Sequence, residues 1–277
     1  MRKLDIAHWR LIISPPAPGA WNMAGDEAIL ESTGSGVVQP TLRLYAWDPP
    51  CLSLGYAQPI DDVDRQALDL NGWQIVRRPT GGRAILHTNE LTYSVMGPAS
   101  EPRLAGSLLE SYQRLSNALL AALQSLGITA QAIPRENSAI TNSNSNPVCF
   151  ETPSHYEITF QGKKLIGSAQ ARRKEGILQH GSLPLHGDLT RITQTLQFPD
   201  LDARKKAADR LSERAITVEG ALNHKISWET AADAFSHAFQ STLNLKFSLE
   251  NLSGSEDARA EELVSMKYAN PAWTNRV

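Results

Sequence analysis

The sequence holds only two cysteines, Cys51 and Cys149, among 277 residues. Two cysteines cannot form a disulfide framework, and no C-x-x-C pair is present. The seven histidines form neither an H-x-x-x-H pair nor a cluster with cysteine, so we expect no metal site. The nearest approach to a ligand pair, His87-x-x-Glu90, is interpreted as a polar turn. We therefore expect a cytoplasmic protein whose core needs no covalent support.

The sequence also has no surplus of one charge and no long hydrophobic run. Its 27 basic and 29 acidic residues give a net charge of −2, whereas nucleic-acid binding usually demands a basic surplus. The most apolar stretch, residues 104–126, is interrupted by Glu110 and Arg114, so it does not predict a membrane span. We expect a soluble monomer with neither nucleic acid nor a membrane as partner.

Hydrophobic periodicity predicts short strands and a few helices. Alternating runs predict strands at residues 42–47, 51–54, 73–78, 84–87, 91–96, 155–160, 163–173, 177–185 and 245–249, with those at 84–87 and 91–96 forming a pair. Helices are predicted at residues 104–126, 200–214, 256–267 and from Ser227 onward. Because strands and helices do not alternate regularly, we predict an α+β fold with mixed, mostly antiparallel sheets and helices packed on their faces.

One hairpin among these strands allows a residue-level prediction. The dipeptide Gln161-Gly162 is predicted to form its turn. Strict alternation then places Ile158 opposite Leu165 on an apolar row. Lys164 falls on the opposite row, which the polar side chains of the hairpin share: Glu157, Thr159, Ser168 and Gln170.

Residues 77–87 form the first segment that could carry chemistry. Gly81 and Gly82 lie there between two predicted strands, with three arginines within seven positions. Glycine lets the backbone approach a ligand, its N–H groups can hold an oxyanion or carbonyl, and arginines favour an anionic group. The same pattern is also typical of an ordinary turn with solvated arginines. It lacks the spacing of a phosphate-binding P-loop.

The two cysteines receive different interpretations. A lone cysteine is more often a small buried hydrophobe than a nucleophile, and we interpret Cys51 in that way. Cys149 instead follows residues 135–147, which are dominated by asparagine and serine and predict a flexible loop. The hairpin that bears Lys164 comes shortly afterwards, and a nearby cation lowers the pKa of a thiol. Cys149 is therefore the candidate nucleophile.

The strand after Lys164 is the third candidate segment. Gly167 and Ala169 are small, so this strand can lie flat against a ligand or another backbone. An ordinary edge strand with a solvated lysine pair explains the same residues. The residues alone leave both interpretations open.

Taken together, these segments resemble the lipoate–protein ligase and octanoyltransferase superfamily, which is related to biotin–protein ligases. The pattern Arg77-Arg78-x-x-Gly81-Gly82-x-x-x-x-His87 is similar to the acyl-pocket signature of that family, and residues 162–170 resemble the strand with its one lysine. The resemblance extends to residues 178–183, 22–28, 52–58 and 267–274. It implies the fold of the biotin–protein ligase catalytic domain.

The subtype is suggested by two further features. Arg83 stands where ATP-dependent lipoate ligases usually carry a third glycine, and residues 147–157 resemble the acyl-carrying cysteine segment of the LipM-type octanoyltransferases. This likeness implies a single catalytic domain over residues 1–250, with its core at about 38–247, followed by a helix and tail over residues 251–277. It leaves no room for the separate C-terminal domain of many lipoate ligases.

The resemblance implies a reaction in two steps without ATP or another cofactor. Cys149 takes octanoyl from acyl carrier protein, and a lysine of the glycine-cleavage H protein or another lipoyl domain then receives it as an amide. Lys164 lowers the pKa of the thiol. The substrate would be bound by Arg77, Gly81, Gly82, His87, Gly167 and Ser168. Both protein substrates are commonly acidic, so Arg172, Arg173 and Lys174 are candidates for a basic docking patch. A solvated turn explains the same three residues.

Three alternatives remain open at this point. The chain could be an ATP-dependent lipoate ligase, which would not need Cys149. It could be an amidotransferase that moves octanoyl from the H protein to other lipoyl domains. It could also be a non-catalytic module that binds an acyl group or a nucleotide.

Overall fold

A computed structural model describes residues 4–134 and 156–277, and Cys149 and the predicted loop at 135–147 lie outside them. The described strands are β1 (Ala7–Ile13), β2 (Thr41–Tyr45), β3 (Cys51–Leu54), β4 (Gln74–Arg77), β5 (Ile85–His87), β6 (Glu90–Gly97), β7 (Gln131–Pro134), β8 (Tyr156–Phe160), β9 (Lys163–Arg173), β10 (Gly176–Pro184) and β11 (Leu245–Glu250). The described α-helices are α1 (Gly19–Gly34), α2 (Arg65–Asn71), α3 (Leu108–Ser125), α4 (Leu201–Arg214), α5 (Val218–Leu222), α6 (Trp228–Thr242), α7 (Gly254–Leu263) and α8 (Pro271–Thr274).

The strands form a larger and a smaller sheet. The larger sheet has the order β11-β1-β2-β6-β10-β9-β8-β7, and the smaller has the order β4-β3-β5. Within them β1 runs parallel to β11 and β2, β3 runs parallel to β4, and the other neighbours are antiparallel. The predicted α+β class with mixed, mostly antiparallel sheets is confirmed.

Helices and the smaller sheet cover the two faces of the larger sheet. On one face α3 and α6 pack against the strands, with Tyr93 of β6 beside Phe235 and Phe239 of α6. On the other face lies α1, which packs on β6 and β10 and is covered in turn by α7. Cys51 is buried between α1 and the smaller sheet, where burial raises the pKa of its thiol. This position agrees with the structural interpretation of Cys51.

Two boundary and pairing predictions are wrong. Helix α3 begins at Leu108 rather than at Leu104, because Ser107 caps it in a reciprocal capping box with Glu110. The strands predicted at 84–87 and 91–96 do not pair with each other. Instead β5 pairs with β3 in the smaller sheet, whereas β6 lies between β2 and β10 in the larger one.

The hairpin of β8 and β9 forms as predicted at its turn but not beyond it. Thr159 lies opposite Lys164, yet the next pair is Ile158 with Ile166, so Leu165 is an extra residue in β9. Such a β-bulge interrupts the alternation of side chains between the two faces. The predicted pairing of Ile158 with Leu165 is therefore wrong, and so is the single polar row from Lys164 to Gln170.

Within the described part of the chain, none of the helices combines the length and apolar character that crossing a membrane requires.

Candidate functional site

The loop of residues 79–83, between β4 and β5, is held rigidly by the arginine before it. The buried guanidinium of Arg78 donates to the carbonyl oxygens of Gly81 (3.0 Å) and Arg83 (2.7 Å). Gly55 packs against the loop so closely that a Cβ on it would lie 1.9 Å from the carbonyl oxygen of Gly82. Gly82 itself has a φ of 97°, which favours glycine.

This loop lines a cleft of about 750 Å³. The other walls are residues 56–59 with Asp62, and residues 170–173 at the end of β9. Among the described residues the backbone amides of Gly81 and Gly82 donate to no protein acceptor. Both N–H groups are therefore available to a carbonyl or oxyanion of a ligand, as the sequence predicts for this segment.

Arg77 supports the cleft from beneath. Its guanidinium is fully buried and donates to the carbonyl oxygens of Gly55 (2.8 Å), Gln58 (2.6 Å) and Thr274 (2.7 Å). The indole nitrogen of Trp273 donates in turn to the carbonyl oxygen of Arg77 (2.8 Å). Arg77 thereby ties α8 to the loop that forms one cleft wall, and it acts on the cleft through that loop.

His87 lies in a closed chain of buried polar groups. Its Nε2 is 2.7 Å from the hydroxyl of Ser53, and its Nδ1 is 2.7 Å from a carboxylate oxygen of Glu90. The ring stacks on Trp47 with centroids 3.9 Å apart. The hydroxyl of Thr92 donates to the same oxygen of Glu90 (2.5 Å). Both ring nitrogens of His87 are thus engaged within the protein.

The bulge at Leu165 turns Lys164 to the face of β9 that looks toward α1 and the smaller sheet. The Lys164 ammonium lies 3.1 Å from the carboxylate of Glu157, and its side chain is buried. Gly167, Ala169 and Ala171 continue this face, because alternation is regular after the bulge. Lys164 lies six residues from Gln170, about 20 Å along the strand, so these small residues connect Lys164 with the cleft.

Ser168 lies on the opposite face of β9. Its hydroxyl is 2.7 Å from the hydroxyl of Tyr93, which is buried under α6. Burial raises the pKa of Tyr93 to about 12, so its phenol stays protonated. Of the two neighbours predicted to bind substrate, Gly167 shares the face of Lys164, and the side chain of Ser168 points into the helix-covered layer.

A second histidine reaches the cleft loop, and the sequence-based selection of site residues missed it. Nε2 of His180, on β10, is 2.7 Å from the hydroxyl of Thr80, and its Nδ1 is 3.5 Å from a carboxylate oxygen of Asp26 on α1. All three side chains are buried, and Thr80 lines the cleft. One sequence signal could have found this group: Asp26, Thr80 and His180 each lie in a segment that resembles the family.

The positive end of β9 borders the cleft. Arg172 donates to the carbonyl oxygen of Gly106 (2.7 Å), and Arg173 donates to that of Pro79 (3.2 Å). In the described part of the chain neither guanidinium forms an ion pair with a carboxylate. Lys174 is almost fully exposed and lies 3.5 Å from Glu175. Arg172 and Arg173 therefore bring positive charge to the rim, and the charge of Arg172 acts on the nearby carboxyl of Glu110.

The described residues hold no group of three histidine, cysteine or acidic side chains that could bind a metal ion. The arrangement consists of amide donors in a rigid loop, a buried ammonium paired with a carboxylate, and a basic rim. Such a site is suited to a polar carbonyl compound carried by an acidic partner.

Comparisons with known proteins agree with this architecture. The profile of the lipoyl protein ligase A/B catalytic domain matches residues 18–240. An octanoyltransferase LipM of Brevibacillus brevis is 39% identical over 97% of this chain and 99% of its own, and one of Kyrpidia tusciae is 40% identical over 97% and 98%. A bipartite lipoate protein ligase of Thermoplasma acidophilum, described with its E2 lipoyl domain, superposes with a TM-score of 0.80 and 26% identity, covering 97% of this chain and 96% of that one. A lipoate–protein ligase A bound with ATP gives a TM-score of 0.79 and 27% identity, covering 97% and 99%.

Proposed function

We propose an octanoyl-transfer function in protein lipoylation for this chain, which belongs to the lipoyl protein ligase A/B catalytic-domain family. The observation that carries the proposal is the 39–40% identity to octanoyltransferases LipM over nearly the whole length of both chains. In this proposal the catalytic domain spans residues 1–250, and residues 251–277 form its helix and tail. The enzyme works as a cytoplasmic monomer.

The reaction proceeds through an acyl-cysteine. The thiolate of Cys149 attacks the thioester carbonyl of octanoyl–acyl carrier protein, and the carrier's thiol leaves with the proton. A lysine amine of the glycine-cleavage H protein or another lipoyl domain then attacks the octanoyl-cysteine, which forms the amide and restores the thiol. Each step exchanges one acyl bond for another of equal or greater stability, so neither ATP nor another cofactor is consumed.

The described residues support these roles in different ways. The ammonium of Lys164 favours the thiolate form of Cys149, and Glu157 holds that ammonium at 3.1 Å. The amides of Gly81 and Gly82 bind the acyl carbonyl, and Gly167 lets the substrate lie against β9. Arg77 and His87 stabilise the walls, Ser168 anchors β9 to the layer beneath it, and Arg172, Arg173 and Lys174 attract acidic carrier proteins.

The test is the intact mass of the protein after incubation with octanoyl–acyl carrier protein in the absence of ATP. We expect the mass of one octanoyl group to be added to the wild-type chain and to Cys51→Ala, but not to Cys149→Ala. Cys51→Ala is the matched control, because that thiol is buried away from the cleft. Loading of Cys149→Ala would disprove the acyl-cysteine.

Two further measurements address the alternatives. Formation of lipoyl adenylate from lipoate and ATP, with full activity in Cys149→Ser, would identify an ATP-dependent ligase instead, as the similarity to the ATP-bound ligase allows. Faster loading from octanoyl-H protein than from octanoyl–acyl carrier protein would identify an amidotransferase. A role of Lys164 in activating the thiol predicts that Lys164→Ala raises the pH at which iodoacetamide alkylates Cys149.

A further inference from the structure

The cleft and the layer beneath it carry a surplus of positive charge. The described lining residues include three arginines and one acidic residue, Asp62. Beneath them the guanidinium of Arg77 is fully buried and, within the described ranges, donates only to backbone carbonyl oxygens, so no carboxylate neutralises it. A buried arginine is normally paired with an anion. An anionic ligand in the cleft would therefore compensate this charge.

Two exposed arginines meet around the ring of Tyr56 on the cleft wall. The guanidinium carbon of Arg276 lies 3.9 Å from the centroid of this ring, and that of Arg173 lies 6.0 Å from the same centroid. In the part of the chain that the structure describes, neither guanidinium forms an ion pair with a carboxylate. A hydrogen bond from Arg276 and its charge, together with the charge of Arg173, lower the pKa of the Tyr56 phenol below its ordinary value. Both guanidiniums are thus available to an anion beside this ring.

The segment that carries Arg276 is fixed along the cleft wall. The indole nitrogen of Trp273 donates to the carbonyl oxygen of Arg77 (2.8 Å). The backbone N–H of Ile60 donates to the carbonyl oxygen of Val277 (2.8 Å). The guanidinium of Arg276 also lies over the ring of Trp273, 4.8 Å from its centroid. Hydrogen bonds on both sides of Arg276 therefore hold its guanidinium at the cleft.

A phosphate group matches these donors. Guanidinium groups bind phosphate oxygens through paired, charge-assisted hydrogen bonds. In the proposed reaction the acyl group arrives on the phosphopantetheine arm of the carrier, and the phosphate is the only charged group of that arm. Ala171 lines the cleft beside Arg173, and the small residues of β9 continue this face toward Lys164. A phosphate held beside Tyr56 would direct the rest of the arm along this face.

We propose that Arg173 and Arg276, arranged around Tyr56, form a binding site for the phosphate of the donor's phosphopantetheine arm. This inference rests on the proposed function, and it adds a recognition element to that function: the enzyme prefers a donor whose arm carries the phosphate. Arg77 contacts no ligand and contributes a fixed positive charge from beneath the cleft.

The experiment compares two small donors, octanoyl-phosphopantetheine and octanoyl-pantetheine, which differ only in the phosphate. We expect Arg173→Gln and Arg276→Gln each to raise KM for the phosphorylated donor about fivefold, the effect of one partly exposed ion pair, and to raise it far less for octanoyl-pantetheine. Arg276→Lys keeps the charge and should recover part of the loss. Arg191→Gln is the matched control, because Arg191 also lies over an aromatic ring, that of Trp73 (4.7 Å), but does not line the cleft.

Two outcomes with these donors would overturn the inference. An equal rise in KM with both donors would mean that the arginines only shape the cleft, and no change with either would mean that they bind no phosphate. Octanoyl–acyl carrier protein is the third donor. A rise in KM with this donor alone would identify acidic side chains of the carrier as the target of the arginines, which would also overturn the phosphate site.

A binding measurement separates this inference from the transfer function. The octyl thioethers of phosphopantetheine and pantetheine cannot transfer their chains, so calorimetry with them reports recognition alone. We expect the wild-type protein to bind the phosphorylated thioether about 20-fold more tightly, the product of two such ion pairs, and the double variant Arg173→Gln, Arg276→Gln to bind both equally. Equal binding by the wild-type protein would overturn the phosphate site. If the wild-type chain accepts octanoyl from none of the three donors, the transfer function fails, and the thioethers still decide whether the phosphate site exists.

Discussion

Two buried histidines, His87 and His180, lie in nearly identical chemical settings in this protein. Each has its Nε2 2.7 Å from a hydroxyl, that of Ser53 or of Thr80. Each has its Nδ1 toward a carboxylate, at 2.7 Å for Glu90 and 3.5 Å for Asp26. The order hydroxyl, imidazole, carboxylate is the same in both groups, which we call the His87 trio and the His180 trio.

The two trios differ in what lies at their ends. In the His87 trio the hydroxyl of Ser53 is fully buried and also accepts a hydrogen bond from Arg78 (3.1 Å), so the chain ends within the protein. In the His180 trio the hydroxyl of Thr80 is also buried, but Thr80 belongs to the loop that lines the cleft. The carboxylate ends differ as well, because Asp26 also neutralises the buried guanidinium of Arg43. The same local chemistry therefore holds the protein interior together in one place and holds the cleft loop against β10 in the other.

Replacing the two carboxylates should produce the largest difference in stability between the trios. Asp26→Asn leaves the Arg43 guanidinium buried without its counter-charge, which typically costs about 3–5 kcal/mol of unfolding free energy. Glu90→Gln alters the hydrogen bonds to His87 and Thr92 but leaves no arginine without its counter-charge, and we expect a loss of about 1–3 kcal/mol. Urea unfolding of both variants measures the difference. Equal losses would show that Arg43 does not depend on Asp26.

The fold class was accessible from the sequence because periodicity reports exposed and buried faces. Helix α6, with Ser227 as its cap, and strand β3 lie where the pattern predicts them. Strand β1 and helix α1 were not predicted. Helix α1 has no polar face to reveal it, since it is enclosed by the sheet and α7 and buries even Asn22 and Asp26.

The residues of the candidate site could be predicted from the sequence only in part. Two adjacent glycines between strands predict close backbone approach to a ligand, and Gly81 and Gly82 line the cleft; that they bind substrate stays a prediction. A single extra residue, Leu165, decides that Lys164 shares a face with Gly167 rather than with Ser168. Side-chain alternation cannot reveal a bulge. The partnership of Asp26 with His180 joins residues 154 positions apart and has no local signal at all.

Acid should weaken both trios in the same direction. Hydrogen bonds and neighbouring positive charge lower the pKa of Asp26 and Glu90 below their ordinary values of 3.8 and 4.5, despite burial. Between the folded and unfolded pKa values the unfolded chain binds more protons, so the carboxylates stabilise the fold above the unfolded values. This stability is lost as the pH falls through the lowered values.

The free energy of unfolding, measured in urea between pH 7 and pH 3, checks this dependence. His180 adds a milder decline that begins near its ordinary value of 6.5, because burial lowers its pKa and only the unfolded chain accepts its proton there. Glu90→Gln should reduce the decline of the unfolding free energy at acid pH, and Asp26→Asn alone should reduce it more. A wild-type curve that is level down to pH 3 would contradict the ionised state of both carboxylates.

The smallest expected difference comes from the same substitution at each histidine. Asparagine keeps a donor or acceptor near the carboxylate and loses the contact with the hydroxyl. His87→Asn also loses the stacking on Trp47 and leaves Ser53 without water to replace its partner, so we expect a loss of about 1–3 kcal/mol. His180→Asn loses the hydrogen bond to the buried hydroxyl of Thr80 but no ring stacking, and we expect a smaller loss of about 1 kcal/mol. Thermal unfolding of the two variants side by side measures this ordering, and the reverse ordering would mean that the His180 trio is the cohesive one.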